Sequence, residues 1–405
     1  MLSNDKGSLK LLLVVQLTLN FRSGIIAPIL ALFIRGHGLS VSQIGILGIA
    51  GMLGWFLFEP LSGVVADRVK KKYMIIFAIF TSTALYAFYP FAQSIWHFAI
   101  LSFLMSSVMS AYAVSVKAIA AELIPPSDRG KTYGRYLSVI SWGGIIAPFI
   151  GGYISDAFGY SVPFFLSAGV GIVGLVAAFF LKHDEGRSYK GGSWNLGSAT
   201  KGLITAPFMG ILTVRMVSMV NMVFRQNFLP IYLHESPQID ASETQIGIYM
   251  TLLRITAALS QPYIGQLNDR IGSKKVIMSS VALLGLTYAG LTVIDGVVPL
   301  YLLGAAQGIV LAAADMSMMI HLMNIMPEGR TGMVMGLYSE SENAGGLIVS
   351  PTLGYIYEGF GASSCVLTVA AVLLATAAGS VLLVRNEPLT SGGLIETSAS
   401  ERRDG

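Results

Sequence analysis

Charged residues are scarce in this sequence. Only 12% of its 405 residues are Asp, Glu, Lys or Arg, whereas 54% are hydrophobic. Soluble domains carry roughly 25% charged residues, and a chain this apolar would expose large apolar patches in water. The composition therefore argues against a soluble enzyme, a nucleic-acid-binding protein and a disordered protein.

Cysteine is almost absent, and one well-known nucleotide motif is missing. The single cysteine, Cys365, excludes an intrachain disulfide framework and a cysteine-based zinc site. The chain also lacks a glycine-rich phosphate-binding loop ending in Lys-Ser or Lys-Thr, which argues against a pump driven by ATP. We therefore expect no metal, no other cofactor and no nucleic-acid partner.

Long apolar runs make up most of the chain. A helix needs about 20 mostly apolar residues to cross the hydrocarbon core of a bilayer, and the runs are continuous, which favours helices over barrel strands. The first run is long and contains Arg22, so we interpret it as a retained span rather than a signal peptide. The runs are Leu11–Phe33, Gln43–Val65, Tyr73–Phe91, Trp96–Leu123, Gly134–Ala157, Ser161–Leu181, Pro207–Tyr232, Gln245–Leu267, Val276–Ile294, Val298–Ile325, Met333–Tyr357 and Ser363–Val384.

Lysines and arginines concentrate on one side of these spans. With an even number of spans, both chain ends lie on the same side, and that side holds 20 of the 26 basic residues. The opposite loops hold only Arg35, and the remaining five basic residues lie within spans. The positive-inside rule therefore predicts a multi-pass protein of the cell membrane with both termini in the cytoplasm.

The sequence repeats itself at half its length. A shift of 202 residues superimposes glycine, proline and charged positions that apolar composition alone does not explain. The matched pairs include Ser40 with Ser242, Gln43 with Gln245, Gly45 with Gly247, Pro60 with Pro262, Gly63 with Gly265, Asp67 with Asp269, Arg68 with Arg270 and Gly152 with Gly354. Two parallel halves with a substrate site between them near the midplane are a recurring plan of transporters.

The repeat and the runs together predict the fold. We expect an all-α membrane protein with twelve transmembrane helices in two pseudo-symmetric six-helix bundles, residues 1–181 and 207–384. The polar stretch 182–206 is predicted to be a cytoplasmic linker, and 385–405 a disordered cytoplasmic tail.

The loop after the second span carries the most specific motif. It reads Gly63-x-x-x-Asp67-Arg68-x-Lys70, and the second-half copy reads Gly265-x-x-x-Asp269-Arg270-x-Gly272. On these residues the chain resembles the major facilitator superfamily over essentially its whole length, although Lys70 replaces the second glycine of the family pattern. The resemblance implies a two-bundle fold and alternating access. It also implies a gating motif in which these aspartates face a helix N-terminus of the other half and latch the cytoplasmic side in the outward-facing state.

The fifth span contains small residues around a proline. They are Gly134, Gly143, Ala147, Pro148, Gly151 and Gly152. Exporters of the drug–proton antiporter group show a similar spacing, with glycine in place of Ala147. Small residues permit close helix packing and proline permits a bend. The resemblance to these exporters implies transport out of the cell. Those antiporters usually also carry an arginine in the fourth span, and this sequence has none there.

Ionisable residues occur inside the spans, where they usually face a cavity or a partner. Arg22 and Arg225 each follow a phenylalanine in the first and seventh spans. Such a pair resembles organic-phosphate antiporters of the superfamily, and guanidinium groups bind carboxylate or phosphate bidentately. We predict that Arg22, Arg225 and Arg254 bind substrate. The alternative is structural, with such an arginine paired with Glu59 or with a backbone carbonyl.

Three acids are the candidates for proton coupling. They are Asp315, Glu340 and Glu59, because a carboxylate at membrane depth can carry a proton near neutral pH. Glu342 lies about 200° around the helix from Glu340, so we do not expect both to face one partner. The alternative is a structural salt bridge with Arg254.

These observations predict a secondary active transporter and not an enzyme. We expect a monomer in the bilayer that exports a small amphipathic or anionic organic compound in exchange for protons. One alternative is an importer or symporter of a small metabolite, such as a sugar, an organic anion or an organophosphate. Another is a lipid translocase on the same fold.

Overall fold

A computed structural model of the protein describes residues 2–66, 68–123, 142–181, 205–325 and 331–384, and every regular element in these ranges is helical. Eight of the spans are long and apolar enough to cross a membrane by length and composition. In chain order the twelve spans of the described residues are Leu2–Ile26 with Leu30–Gly36, Val41–Ala66, Lys71–Phe88, Ile95–Leu123, Ala147–Phe158, Ser161–Phe179, Ala206–Val223 with Leu229–Glu235, Glu243–Ile271, Ser273–Gly290, Val297–Ile325, Thr331–Phe360 and Ala362–Leu383. The predicted all-α fold is confirmed.

Some predicted features lie outside the described residues. The fifth span is described from Ala147, so its predicted beginning at Gly134 is not covered. The same holds for Asp67, for all but the last two residues of the linker 182–206, and for the tail 385–405.

The same helix pairs pack together in both halves. In the first half the second span packs on the fourth, the first and third spans on the sixth, and the first on the fifth. In the second half the eighth packs on the tenth, the seventh and ninth on the twelfth, and the seventh on the eleventh. The two bundles meet through the second span against the eleventh and the fifth against the eighth. The repeat in sequence is therefore a repeat in packing.

Matching serine and glutamine residues begin the second and eighth spans. The Ser242 hydroxyl accepts from the Gln245 N–H at 3.3 Å, and the Gln245 side chain accepts from the Ser242 N–H at 2.9 Å. Ser40 and Gln43 form the same reciprocal pair at 3.3 and 2.8 Å. This capping box satisfies N–H groups that have no partner within the helix. The second span consequently begins at Val41, slightly before its apolar run at Gln43.

The two ends of the bundle differ in how closely the halves meet. We call the end that holds Leu2 and Leu383 the terminal side and the opposite end the distal side. On the distal side Arg35 Nε donates to Glu235 Oε1 at 2.7 Å and joins the first span to the seventh. Several further hydrogen bonds between the halves lie on this side. Asp269, on the terminal side, is exposed. Within the described residues the halves are thus joined most extensively on the distal side.

Candidate substrate and coupling site

The first half contains a cavity of about 260 Å³ at membrane depth. Its walls come from the first four spans and combine aromatic, amide and thioether side chains with one guanidinium. The lining includes Gln16, Asn20, Arg22, Trp55, Tyr86, Met109 and Tyr112. A concave site with apolar and aromatic walls and few polar groups is typical of small-molecule binding.

Arg22 is the charged member of this cavity wall, and it is only 1% exposed. Its Nη2 donates to the Ser82 hydroxyl at 2.7 Å and its Nη1 to the Thr83 hydroxyl at 3.0 Å. The guanidinium carbon lies 5.1 Å from the centre of the Tyr86 ring. Among the described residues no carboxylate forms an ion pair with Arg22, so the predicted alternative partner Glu59 does not bind it there. A buried cation held by neutral groups makes this cavity attractive to anions.

Arg225 lies where the seventh span departs from regular α-helix. Phe224–Phe228 form a π-helical turn, an irregularity that is frequent at functional sites. Arg225 lines a second, small cavity of about 30 Å³ together with Arg215 and Asp315. Its Nε is buried without a hydrogen-bond partner in the described structure. Arg22 and Arg225 therefore line separate cavities, one in each half.

Arg254 reaches from the eighth span into the first half. Its Nη1 donates to the carbonyl oxygen of Gly144 at 3.0 Å. The guanidinium occupies a notch that Gly144 and Gly24 leave open, since a Cβ on Gly144 would lie 3.1 Å from Nη1. Arg254 is also close enough to Arg225 for their charges to interact. Neither Asp315 nor Glu340 forms an ion pair with Arg254 in the described part of the chain.

One guanidinium in the second half binds two carboxylates. Arg215 Nη1 donates to Asp315 Oδ1 at 2.7 Å, and Arg215 Nε donates to Glu342 Oε1 at 2.7 Å. The Tyr338 ring centre lies 5.4 Å from the same guanidinium carbon. The side chains of Arg215 and Glu342 are 16% and 25% exposed, whereas that of Asp315 is 53% exposed. Of the two acids, Asp315 is thus the more accessible to water.

Sequence reasoning missed the partnership of Arg215 with both acids. Arg215 is one of the five basic residues within spans, and the sequence pattern indicates no partner for it; Glu342 is expected only to face a different partner from Glu340. A usable signal was present, however. All three residues lie about ten positions from the terminal-side ends of their helices, and at 1.5 Å per residue this places them at one depth.

Glu59 and Glu340 lie where the second span meets the eleventh. Glu59 accepts from the Ser339 hydroxyl at 3.3 Å across the two halves, and Lys117 Nζ lies 3.7 Å from its Oε1. Glu340 Oε2 is buried without a hydrogen-bond partner in the described residues. These two acids form a contact zone between the halves that is separate from the Arg215 triad.

The gating-motif residues that the structure describes lie on the terminal side. Asp67 is outside the described residues, and Asp269 and Arg270 are exposed, as is Arg68. Gly265 lies near Met316, while a Cβ on Gly63 would meet no described atom within 4 Å. The structure therefore does not bring Asp269 into a described contact with the other half.

The small residues of the fifth span lie at close helix contacts. A Cβ on Gly143 would clash with Leu17, one on Gly151 with the Ile25 backbone, and one on Gly152 with the Glu243 backbone. A Cβ on Gly247 would lie 2.5 Å from the Pro148 carbonyl oxygen. This packing joins the fifth span to the first and to the eighth, and so to both halves.

Two repeated six-helix bundles with charged cavities at membrane depth define a membrane transporter. A family model described as "Major Facilitator Superfamily" matches residues 12–223 and 214–401. The chain belongs to the major facilitator superfamily, which is a family of membrane transporters and not a class of enzymes.

Relatives agree with this membership, and solved structures share the fold. The chain is 24% identical over 384 residues to the multidrug resistance protein MdtG of Dickeya zeae, covering 90% of this chain and 91% of that protein. It is 26% identical over 247 residues to the quinolone resistance protein NorA of Staphylococcus aureus, covering 59% and 61%. A mutant of the nucleoside transporter NupG has a similar fold, with a TM-score of 0.82, 15% identity and coverage of 93% and 100%. A bacterial homologue of the human lysosomal transporter Spinster also has a similar fold, with a TM-score of 0.75 and 15% identity. That match covers 94% of this chain and 95% of the other.

Proposed function

We propose that this chain is a secondary transporter that exports a small amphipathic or anionic organic compound in exchange for protons. In this proposal the halves 1–181 and 207–384 rock about a site near the midplane, so that the site opens to one side of the membrane at a time. The chain acts as a monomer in the cell membrane.

The Arg215 triad is the observation that carries the coupling. Two carboxylates share one largely buried guanidinium, so one of them can accept a proton while the arginine keeps a counter-ion. Asp315 is the more exposed of the two, which suits it to exchange protons with water. Glu340 and Glu59 remain candidates for a relay, because they lie at the contact between the halves.

The substrate class is inferred from the arginines and the aromatic wall. Arg22 has only neutral partners among the described residues, and Arg225 keeps a buried donor that is unused. An anionic group on the substrate would supply the counter-charge. Trp55 and Tyr86 offer an apolar surface for the rest of an amphipathic molecule.

The orientation rests on the distribution of basic residues. If the terminal side faces the cytoplasm, the described conformation is closed outside and faces inward. The exposure of Asp269 fits this state, because the proposed gating motif acts when the cytoplasmic side is closed. Export is supported by the fifth-span motif and by the resistance proteins among the relatives, and an importer remains the competing function.

Flux in proteoliposomes separates these functions. Purified protein is tested with a panel of fluorescent amphipathic anions, cations and zwitterions, with either an acidic or an alkaline lumen. A proton antiporter accumulates its substrate in the acidic lumen, and we expect anions to accumulate there. A proton symporter accumulates substrate in the alkaline lumen instead. Flux that ignores the pH gradient would contradict proton coupling.

A further inference from the structure

Two carboxylates on the distal side bind the beginnings of helices in the opposite half. Asp156 lies near the end of the fifth span and contacts the start of the eighth, and Glu358 lies near the end of the eleventh and contacts the start of the second. The two acids are related by the same shift of 202 that relates the halves. Neither belongs to the sites described above.

Asp156 receives hydrogen bonds at both of its oxygens. Oδ1 accepts from the Glu243 N–H at 3.2 Å. Oδ2 accepts from the Thr244 N–H at 2.8 Å, from the Ser242 hydroxyl at 3.0 Å and from the Thr244 hydroxyl. Close by, the Tyr160 hydroxyl of the first half donates to Glu243 of the second.

Glu358 repeats this contact on a smaller scale. Its Oε2 accepts from the Ser42 N–H at 2.8 Å. Ser42 is the repeat partner of Thr244, whose N–H donates to Asp156, so the two contacts use an equivalent backbone donor.

Each carboxylate completes the cap at the beginning of a helix in the opposite half. The capping box occupies the third N–H of the second and eighth spans, and the first or second N–H is left without an intrahelical partner. The acid from the other half accepts from these groups and also meets the positive end of the helix dipole. Separating the halves on this side would return these N–H groups and the carboxylate to water.

We propose that Asp156 and Glu358 are two symmetry-related latches that hold the distal side of the transporter closed. They mirror the gating motif, in which Asp67 and Asp269 are predicted to act at the other ends of the second and eighth spans. Each helix pair between the halves then carries a carboxylate-to-helix contact at both ends, one for each state of the cycle. The inference rests on the proposed alternating access.

Beside each latch, glycines let the helices of the two halves pack backbone to backbone when the distal side is closed. A Cβ on Gly152 would clash with the Glu243 backbone, and one on Gly354 would lie 3.1 Å from the Val41 carbonyl oxygen and the Ser42 Cα. The helix ends are therefore near enough for a short carboxylate to reach the opposite N-terminus. Opening this side requires both the latch and the glycine contact to separate.

Distances between spin labels test the latches without requiring transport. In a Cys365→Ala background, the exposed and repeat-related positions Phe91→Cys and Val293→Cys report the distal opening. Phe180→Cys and Leu382→Cys report the terminal side in the same way. Distance distributions are measured by pulsed electron resonance in lipid nanodiscs without substrate, so the result is independent of efflux or proton coupling.

Asp156→Asn is the main variant. An asparagine must turn its NH₂ group toward one of the donors that both aspartate oxygens now accept. We expect the ratio of distal-open to distal-closed molecules to rise about fivefold, as loss of a helix cap of about 1 kcal/mol implies. Glu358→Ala removes fewer hydrogen bonds and should shift the ratio in the same direction by a smaller factor. The combined variant should shift it further, with shorter distances on the terminal side.

Asp295→Asn is the matched control. It removes one negative charge from the same side, from an exposed residue with no described hydrogen bond to the other half, and should leave both distributions unchanged. Unchanged distances in the combined variant would overturn the proposal, as would an equal shift in the control. Because Glu358 is exposed, Glu358→Ala gives a reading even if Asp156→Asn fails to fold.

Discussion

The two halves share their packing and the equivalent arginines Arg22 and Arg225, but they differ in the other charges at membrane depth. In the second half Arg215 binds two carboxylates, Asp315 and Glu342. A shift of 202 residues puts apolar residues in the first half at all three positions, Leu13, Ala113 and Ile140. In the first half the buried cation is Arg22, and its described partners are hydroxyls and an aromatic ring. The repeat therefore preserves the scaffold, while each half carries its own electrostatics.

This difference suggests that the two halves have different roles in the proposed transport cycle. A cation between two acids is suited to proton exchange, because one acid can be protonated while the other remains as the counter-ion of the cation. A cation without a counter-ion is suited to attract an anion. Coupling is then concentrated in the second half and recognition of the substrate charge in the first. Substitutions at single residues test this difference between the halves.

Removing Arg215 should have the largest effect on stability. Arg215→Met leaves two acids at membrane depth without their cation. Breaking a fully buried ion pair costs about 3–5 kcal/mol, and we expect a smaller loss of unfolding free energy here because the Asp315 side chain is 53% exposed. We expect a clear fall in thermal unfolding temperature and loss of transport. Arg35→Met is the matched control, because the Arg35–Glu235 pair is exposed and such pairs contribute about 1 kcal/mol or less. Equal unfolding temperatures of the two variants would contradict a stabilising role of the Arg215 triad.

Arg22→Lys should weaken substrate binding without unfolding the protein. Lysine keeps the charge but loses the fork that engages Ser82 and Thr83 together. Once a substrate is found, we expect about tenfold weaker binding, or ~1.4 kcal/mol. Binding is measured by fluorescence titration in detergent. Undiminished affinity would assign Arg22 to the scaffold.

Arg225→Lys is the corresponding substitution in the second half. Arg225 makes no described hydrogen bond through its Nε, so lysine loses less pre-organised geometry than at position 22. We expect affinity to fall by a smaller factor, about threefold or ~0.7 kcal/mol. If Arg225→Lys weakens binding more than Arg22→Lys does, the substrate charge is recognised mainly in the second half.

Glu59→Gln should have the smallest effect. Glu59 pairs with the exposed Lys117 at 3.7 Å and accepts from Ser339, and an ion pair with an exposed partner contributes about 1 kcal/mol or less. We expect uphill transport to persist at a modestly altered rate, measured as the initial flux under a pH gradient. Loss of coupling in this variant would place a coupling acid in the first half and would contradict the assignment of coupling to the second half.

The sequence was enough for the fold because the relevant signals are local or periodic. Apolar runs of sufficient length predict helices, and the Ser-x-x-Gln and Gly-x-x-x-Asp-Arg repeats predict two halves. The pairing of Arg215 with Asp315 and Glu342 depends on how three helices rotate about their axes, which composition and spacing do not fix. The distal contact of Asp156 with Thr244 could not be predicted for another reason: it forms between helix ends of different halves, and no spacing within one half indicates it.

Asp315→Asn in proteoliposomes tests whether Asp315 carries the coupled proton. Two fluxes are measured on the same preparation: accumulation driven by an acidic lumen, and exchange of labelled for unlabelled substrate without a gradient. Because rocking of the halves does not itself require the proton, we predict that accumulation is lost while exchange continues, and that Asp295→Asn retains both. Uphill accumulation by Asp315→Asn with an unchanged pH dependence would show that protons pass elsewhere and would contradict the account.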